Sequence, residues 1–282
     1  MKTARVRSSD WLWKEGGGYY TEEAGELALR PVLPDLGRLR NRRLFDLFES
    51  YGGIASGSSV LEAGCGRSPW LPFLNRRLGC RVVGIDIEPH AAELARANLR
   101  GAGAAGEVIC GDAFALSSRP DLRASFDLVY SMGVLEHFDD VVERISALAL
   151  YLKAGGRILT TVPNLQGVNW IMQRMADLKT LQIHVVYDAA RLRKAHEGAG
   201  LKTIASGYAG FFDGYVSSSV GSQSRFRQEA HRRICRLLGT CAEAWVRAGR
   251  GRGAPEMRFT SPHVFYVGGR GPDPVEGTGV VR

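Results

Sequence analysis

The stretch Val60 to Ser68, VLEAGCGRS, decides how this 282-residue chain is read. Its beginning, Ser59 to Leu61, has strand character, and Gly64 and Gly66 let the chain turn sharply so that backbone approaches a ligand with no Cβ in the way. Twenty positions after Gly66, a second apolar run, VVGID, ends at Asp86. A carboxylate there can accept hydrogen bonds from both hydroxyls of a ribose. Together the two stretches mark a nucleotide-handling site. A dinucleotide fingerprint wants a third glycine where this chain has Pro69, and no Lys follows as a phosphate-binding loop would need. Neither a pyrophosphate nor a triphosphate has an obvious cradle.

Outward from that stretch, short β-rich runs alternate with helical ones, which implies a doubly wound α/β fold with a parallel sheet and crossover helices. Strands are expected near 58–63, 81–86, 106–110, 126–131 and 156–162, a sixth at Leu201–Ser206 and a seventh at His263–Val267. Helices are expected at Pro89–Gly101, at Val141–Leu152 with a stop at Gly155 and Gly156, and at Ala189–Ala199. A loop is expected to follow strand five. Residues 1–57 form an N-terminal extension carrying Trp11, Trp13, Tyr19 and Tyr20, then an amphipathic helix from about Leu36 to Tyr51, with Leu39, Phe45, Leu47 and Phe48 on one side. Between strands six and seven, an insertion at about 207–261 opens with Tyr208, Phe211, Phe212 and Tyr215, passes through a Ser/Gly loop and continues as a helix from about Phe226 to Ala248. The remainder, 270–282, is rich in Gly and Pro and reads as disordered.

The residues around Gly64 resemble the first motif of the class I S-adenosylmethionine-dependent methyltransferases, an acidic residue followed by alternating glycines. The resemblance covers roughly 58–207. It implies a seven-stranded Rossmann-like sheet with the seventh strand antiparallel at its edge, helical additions at the N-terminus and before strand seven, and S-adenosyl-L-methionine as cofactor. Carried onto this chain, it assigns cofactor contacts to Glu62, Gly64, Cys65, Gly66, Asp86, Ile87, Asp112, Ala113, Ser131 and Met132. Of these, Asp86 would hold the ribose and Asp112 the adenine amino group. Ser68 stands where many members have a third glycine.

At 45% hydrophobic, the chain can bury one large domain with additions. The N-terminus lacks the apolar segment and small-residue site of a signal peptide, and no apolar run approaches the length of a membrane span, so a soluble cytoplasmic protein is expected. Five cysteines form no metal spacing, and an odd count argues against a disulfide framework. The net charge is +8, and Gln223–Arg258 alone holds nine Arg against three Glu. Such a segment is a solvated helix face, or else meets RNA, anionic lipid or an acidic small molecule.

Ligands of open α/β sheets bind beyond the carboxyl ends of the strands. There, after strand four, lies Val134-Leu135-Glu136-His137, which looks like the VLEH motif of a methyltransferase subgroup that includes quinone-biosynthesis O-methyltransferases. Transfer from a sulfonium needs in-line alignment above all, and a hydroxyl acceptor must also lose its proton to a base or beside a metal. His137 and His184, with Glu136, are the candidate catalytic residues. In the small-RNA 3′-end 2′-O-methyltransferases a Glu-His pair joins another Glu and a later His around a divalent ion. Glu136, His137 and His184 match three of those positions, and Gly133 occupies the fourth, which makes a site for an ion such as Mg²⁺ the alternative to a simple base. The expected reaction is O-methylation of a small molecule, a secondary metabolite or sugar, in a pocket walled by Tyr208, Phe211, Phe212 and Trp170. Against it stand an RNA methyltransferase and a catalytically idle cofactor-binding regulator. The insertion helix is expected to build the substrate pocket or a homodimer interface.

Overall fold

A computed structural model describes residues 30–115, 119–213, 225–249 and 256–271. Trp11, Trp13, Tyr19, Tyr20, the Ser/Gly loop with Tyr215 and most of the tail expected at 270–282 lie outside them. The central sheet comprises β1 (Ser59–Ala63), β2 (Arg81–Asp86), β3 (Glu107–Cys110), β4 (Phe126–Met132), β5 (Leu152–Pro163), β6 (Lys202–Ala209) and β7 (His263–Gly269). Their spatial order is β3-β2-β1-β4-β5-β7-β6. Strands β1 to β5 pair in parallel, and β7 pairs antiparallel with both β5 and β6. The seventh strand is therefore not at the edge, as expected, but interior, and β6 forms the edge. The reason is visible in burial: the centre of β7, Val264–Val267, is buried throughout, whereas β6 begins with three exposed residues.

Every residue of β1 is buried, as a central parallel strand covered on both faces must be. One face packs under α1 (Leu39–Tyr51), α2 (Trp70–Leu78) and α3 (Pro89–Gly101), with Leu47, Phe48, Leu71, Leu74 and Leu99 in its core. The other packs under α4 (Val141–Ala149) and α7 (Ala189–Gly198) through Ile145, Leu148 and Leu192. Local chemistry sets the helix starts. Ser68 Oγ accepts the N–H groups of Trp70 and Leu71 at the head of α2. Glu88 caps α3 ahead of Pro89, and Asp188 caps α7 through the Arg191 N–H.

Three further expectations are corrected. The helix expected to run to Leu152 and stop at Gly155 and Gly156 ends at Ala149, and those glycines lie inside β5. Phe126 pairs with Leu152 while Leu128 pairs with Arg157, so residues between bulge out of the ladder. Gly155 has φ +74°, and a Cβ on Gly156 would press on the Lys153 and Phe126 carbonyls; the glycines serve the bulge. The loop expected after strand five is largely helical, forming α5 (Gly167–Ala176) and α6 (Leu178–Ile183). The insertion also begins later than 207, because β6 runs to Ala209.

The insertion helix α8 (Arg225–Ala248) buries His231 and Ala242 and leaves Phe226, Ile234, Leu237, Leu238 and Trp245 exposed. Arg232 and Arg233 on the same helix both pair with Glu229 at 2.8 Å. Among the described residues no helix is long and apolar enough to cross a membrane.

The described chain begins beside the glycine loop, and one side chain holds it there. Asn98, 1% exposed, accepts the Val32 N–H at 2.6 Å and donates to the carbonyls of Val32 and Ser68 at 2.9 and 2.7 Å. Asn98→Ala strands these groups and is expected to lower unfolding free energy by roughly 2–3 kcal/mol. Urea denaturation checks the loss, and limited proteolysis should show earlier cutting ahead of Pro34.

Candidate active site

The order in which the chain lays down its strands reverses between β1 and β4, and the sequence-predicted cofactor residues gather at the carboxyl ends of these strands and of β2 and β3. The Gly64 and Cys65 N–H groups both donate to the Ile85 carbonyl, at 2.8 and 3.2 Å, which folds the loop back over the end of β2. Gly64 has φ +72°, and a Cβ there would sit 2.5 Å from Val134 Cγ2. Both backbone conformation and space therefore demand glycine. Asp86 is buried, with Oδ2 accepting the Gly66 N–H at 2.7 Å and Oδ1 the Glu88 N–H at 3.0 Å. Burial raises its pKa, against the pull of these two donors. Each oxygen keeps a lone pair for a ligand hydroxyl. Ile87, next along, is 64% exposed, an apolar rim beside that carboxylate. The Gly111 N–H donates to the Asp86 carbonyl, which brings Asp112 to the neighbouring strand end, exposed and bonded to the Phe114 N–H at 2.8 Å.

Cys65 and Ala113 are buried. A Cβ added at Gly84 would lie 2.8 Å from Cys65 Sγ, so the thiol points into the core and the loop offers Cys65 backbone at the site. Glu62 is fully buried and accepts a 2.7 Å hydrogen bond from Tyr130. Burial pushes its pKa up to about 8, opposed by hydrogen bonds from Ser68 and Tyr130. Tyr130 stands among the residues that the sequence places at the ligand end of strand four, but its pairing with Glu62 is what sequence reasoning missed. Only the register of β1 against β4, which sets Tyr130 opposite Glu62, reveals the pair.

Past Ser131, buried with Oγ unpartnered among the described residues, and the half-buried Met132, the chain makes a tight turn at Leu135–His137. The Val185 N–H donates to the Glu136 carbonyl at 2.7 Å and delivers His184 to that turn. The His137 and His184 rings are 4.6 Å apart, and ligand atoms of Glu136, His137 and His184 lie within 4.8 Å of one another. Burial pushes Glu136 up to about 8; burial, then the neighbouring His184, pushes His137 down to about 3. At neutral pH, then, Glu136 is mostly protonated and His137 uncharged. Such a trio can accept a proton or ligate a cation.

The expected aromatic wall is more dispersed. Tyr208 lies within β6, half-buried against the core; Phe211 stacks on Trp245 of α8 at 5.2 Å; Phe212 is half-buried; Trp170 is exposed on α5 with the Arg174 guanidinium 5.3 Å from its ring.

A model of the methyltransferase-domain family matches residues 36–206. The chain belongs to this family. As a class I methyltransferase its cofactor is S-adenosylmethionine. It is 30% identical over 117 residues to a ubiquinone biosynthesis O-methyltransferase of Idiomarina loihiensis, a match covering 41% of this chain and 46% of that one. The chain thus spans about half the length of the curated relative it matches. Among solved structures, a 4+2 cyclase, SpnF, superposes with a TM-score of 0.56 at 16% identity, covering 95% of this chain and 93% of that one. The geranyl diphosphate C-methyltransferase of Streptomyces coelicolor A3(2), solved with Mg²⁺, a substrate analogue and S-adenosylhomocysteine, does so at 0.53 and 15%, covering 82% and 76%. These structural likenesses carry the fold alone.

Two substitutions probe the cofactor end of this methyltransferase. Asp86→Ala removes the carboxylate expected to accept ribose hydroxyls and frees the Gly66 and Glu88 N–H groups, so calorimetry should find affinity for S-adenosylhomocysteine at least about 100-fold weaker. Glu62→Gln keeps the partner of Tyr130 and removes the titration. Because the folded-state pKa is raised, the stability Glu62 contributes is full below pH about 4.5 and is lost as pH rises through about 8. Thermal unfolding of ligand-free protein should therefore favour the variant increasingly between pH 5 and 9; parallel curves would contradict a neutral buried Glu62.

Proposed function

We propose that this methyltransferase moves the methyl group of S-adenosylmethionine onto a hydroxyl of a small molecule, a secondary metabolite or a sugar. What carries the reading is the convergence of Glu136, His137 and His184 at the end of β4, one turn from the glycine loop. In this reaction the methyl carbon–sulfur bond breaks with its electron pair going to sulfur, an oxygen–carbon bond forms, and the hydroxyl proton leaves to a base. His184 takes the proton. Its neighbour His137, with a pKa pushed to about 3, is too weak a base and instead orients the second ring. The relatives' names include both O- and C-methyltransferases. Two imidazoles beside the cofactor loop support the oxygen, since a hydroxyl gains nucleophilicity by losing its proton before transfer.

The basic insertion gives RNA less support than its composition suggests, because Arg232 and Arg233 share Glu229 and Arg258 bonds Gln166. Of the four expected wall residues, Trp170 lines the cleft beyond β5, and Tyr208, Phe211 and Phe212 lie within and just after β6.

A second reading has its own observation: Glu136 Oε2 is buried and has no hydrogen-bond partner among the described residues. With two imidazoles it makes a donor set that fits a divalent cation. Nitrogen donors favour a first-row transition ion over Mg²⁺, which prefers oxygen. Such an ion, when bound, lowers the pKa of a coordinated hydroxyl.

Release of S-adenosylhomocysteine from the cofactor against a panel of hydroxylated compounds, amines and RNA tests the proposal. Turnover with hydroxylated compounds is expected; turnover confined to amines or RNA overturns it. With the acceptor so found, His184→Ala should lower kcat at pH 7 by about 100-fold or more, with cofactor affinity unchanged and rate recovering at alkaline pH. Treatment with EDTA leaves wild-type turnover intact if His184 acts alone, whereas loss restored by Mn²⁺ assigns the cation.

A further inference from the structure

A cleft of about 440 Å³ opens where β5 ends, and its walls are chemically two-sided. Leu165 and Trp170 make the apolar part; Gln166, Asp188, Arg191 and Arg258 make the polar part. The acidic and amide groups are already engaged. Asp188 Oδ1 accepts the Arg191 backbone N–H at 2.7 Å as the cap of α7. Gln166 donates to the Tyr187 carbonyl at 2.7 Å and accepts from Arg258 Nε.

The guanidinium groups are less committed. Arg191 Nη1 donates to the Val186 carbonyl at 2.9 Å, and its plane lies 5.0 Å from the Tyr187 ring centre. Among the described residues no salt bridge engages Arg191 or Arg258, and no hydrogen bond uses Arg191 Nη2 or either Nη of Arg258. Both arginines are held in place by neutral contacts with donors left over, and Asp188 is the single carboxylate in the cleft's lining. A planar fork with free N–H groups matches the oxygens of a phosphate or carboxylate. The volume is within the range of small-molecule sites and too large for one small anion alone, and Trp170 gives an organic body a surface to lie on.

The position is on the acceptor side of the sheet. Leu165 and Gln166 lie two and three residues after Pro163, the last residue of β5, and Gln166 is bonded to Tyr187, three residues after His184. We propose that this cleft binds an anionic oxygen group of the methyl acceptor, phosphate or carboxylate, through Arg191 and Arg258, with the acceptor's apolar part against Trp170. This rests on the reading of the chain as a small-molecule methyltransferase. It narrows the acceptor to a molecule that carries both a hydroxyl to be methylated and an anionic group.

The test is calorimetric titration of the full chain saturated with S-adenosylhomocysteine, using phenyl phosphate, benzoate and the neutral control benzyl alcohol. An anionic probe should bind at least about tenfold more tightly than benzyl alcohol, and the stronger of the two distinguishes phosphate from carboxylate. Arg258→Gln and Arg191→Gln should each weaken that probe about tenfold or more while leaving S-adenosylhomocysteine affinity within about twofold. Arg258→Gln decides alone if Arg191→Gln lowers the melting temperature. Equal binding of charged and neutral probes, or unaltered binding in a folded Arg258→Gln variant, overturns the proposal. If S-adenosylhomocysteine itself fails to bind, it is the methyltransferase reading that falls; if it binds and no anion does, only the cleft's assignment falls.

Discussion

One carboxylate organises the ligand end of this molecule. Asp86 ends β2, and its two oxygens take the N–H groups of Gly66 on one side and Glu88 on the other. The first bond holds the glycine loop down over the sheet; the second holds Glu88, the residue that caps α3. Burial raises the Asp86 pKa while these two donors pull it down, and each oxygen keeps a lone pair for a hydroxyl donor. The turn at Gly64 and the placement of Ile87 follow from the geometry that this carboxylate enforces.

At Glu62 the same effect of burial goes further. This residue lies one strand away, has a tyrosine hydroxyl for a partner and no cation, and burial wins: its carboxyl prefers its proton. Glu136 repeats the pattern at the end of β4. Two buried acids with raised pKa lie at or just beyond the carboxyl ends of β1 and β4, and both are groups whose ionisation a nearby cation favours. The fold itself says nothing of this. SpnF shares the architecture over most of its length and is named a cyclase. Chemistry on this scaffold has to be read from side chains such as these.

Much of the parallel half of the sheet could be read in the sequence because its determinants are local. Runs such as VVGID and the Gly64–Gly66 turn announce themselves within a few residues, and α3 has both its Pro start and its extent written in Pro89–Gly101. What could not be read depended on partners distant in sequence. Gly155 and Gly156 look like a helix stop until Phe126 is seen pairing with Leu152 and Leu128 with Arg157. The interior position of β7 is set by β6 lying outside it, and α5 and α6 occupy a stretch that resembles a connection. In the site the same division holds. The glycine loop and Asp86 are visible as a motif, whereas the Glu62–Tyr130 pair and the meeting of His184 with Glu136 exist only once β1, β4 and the chain after α6 are brought together.

The contact of Gly64 with Val134 joins these two halves. There is no room between them for a single methyl group, and Val134 immediately precedes the turn that carries Glu136 and His137. A shift of the loop would therefore be felt at the turn, and a ligand that fixed one would also fix the other. Coupling of this kind is symmetrical: by whatever factor one ligand tightens the other, it is tightened in return. The order in which the two reactants enter is then a matter of kinetics, since the thermodynamic cycle closes either way, and product S-adenosylhomocysteine left in place would hold the acceptor side in its working shape until it departs.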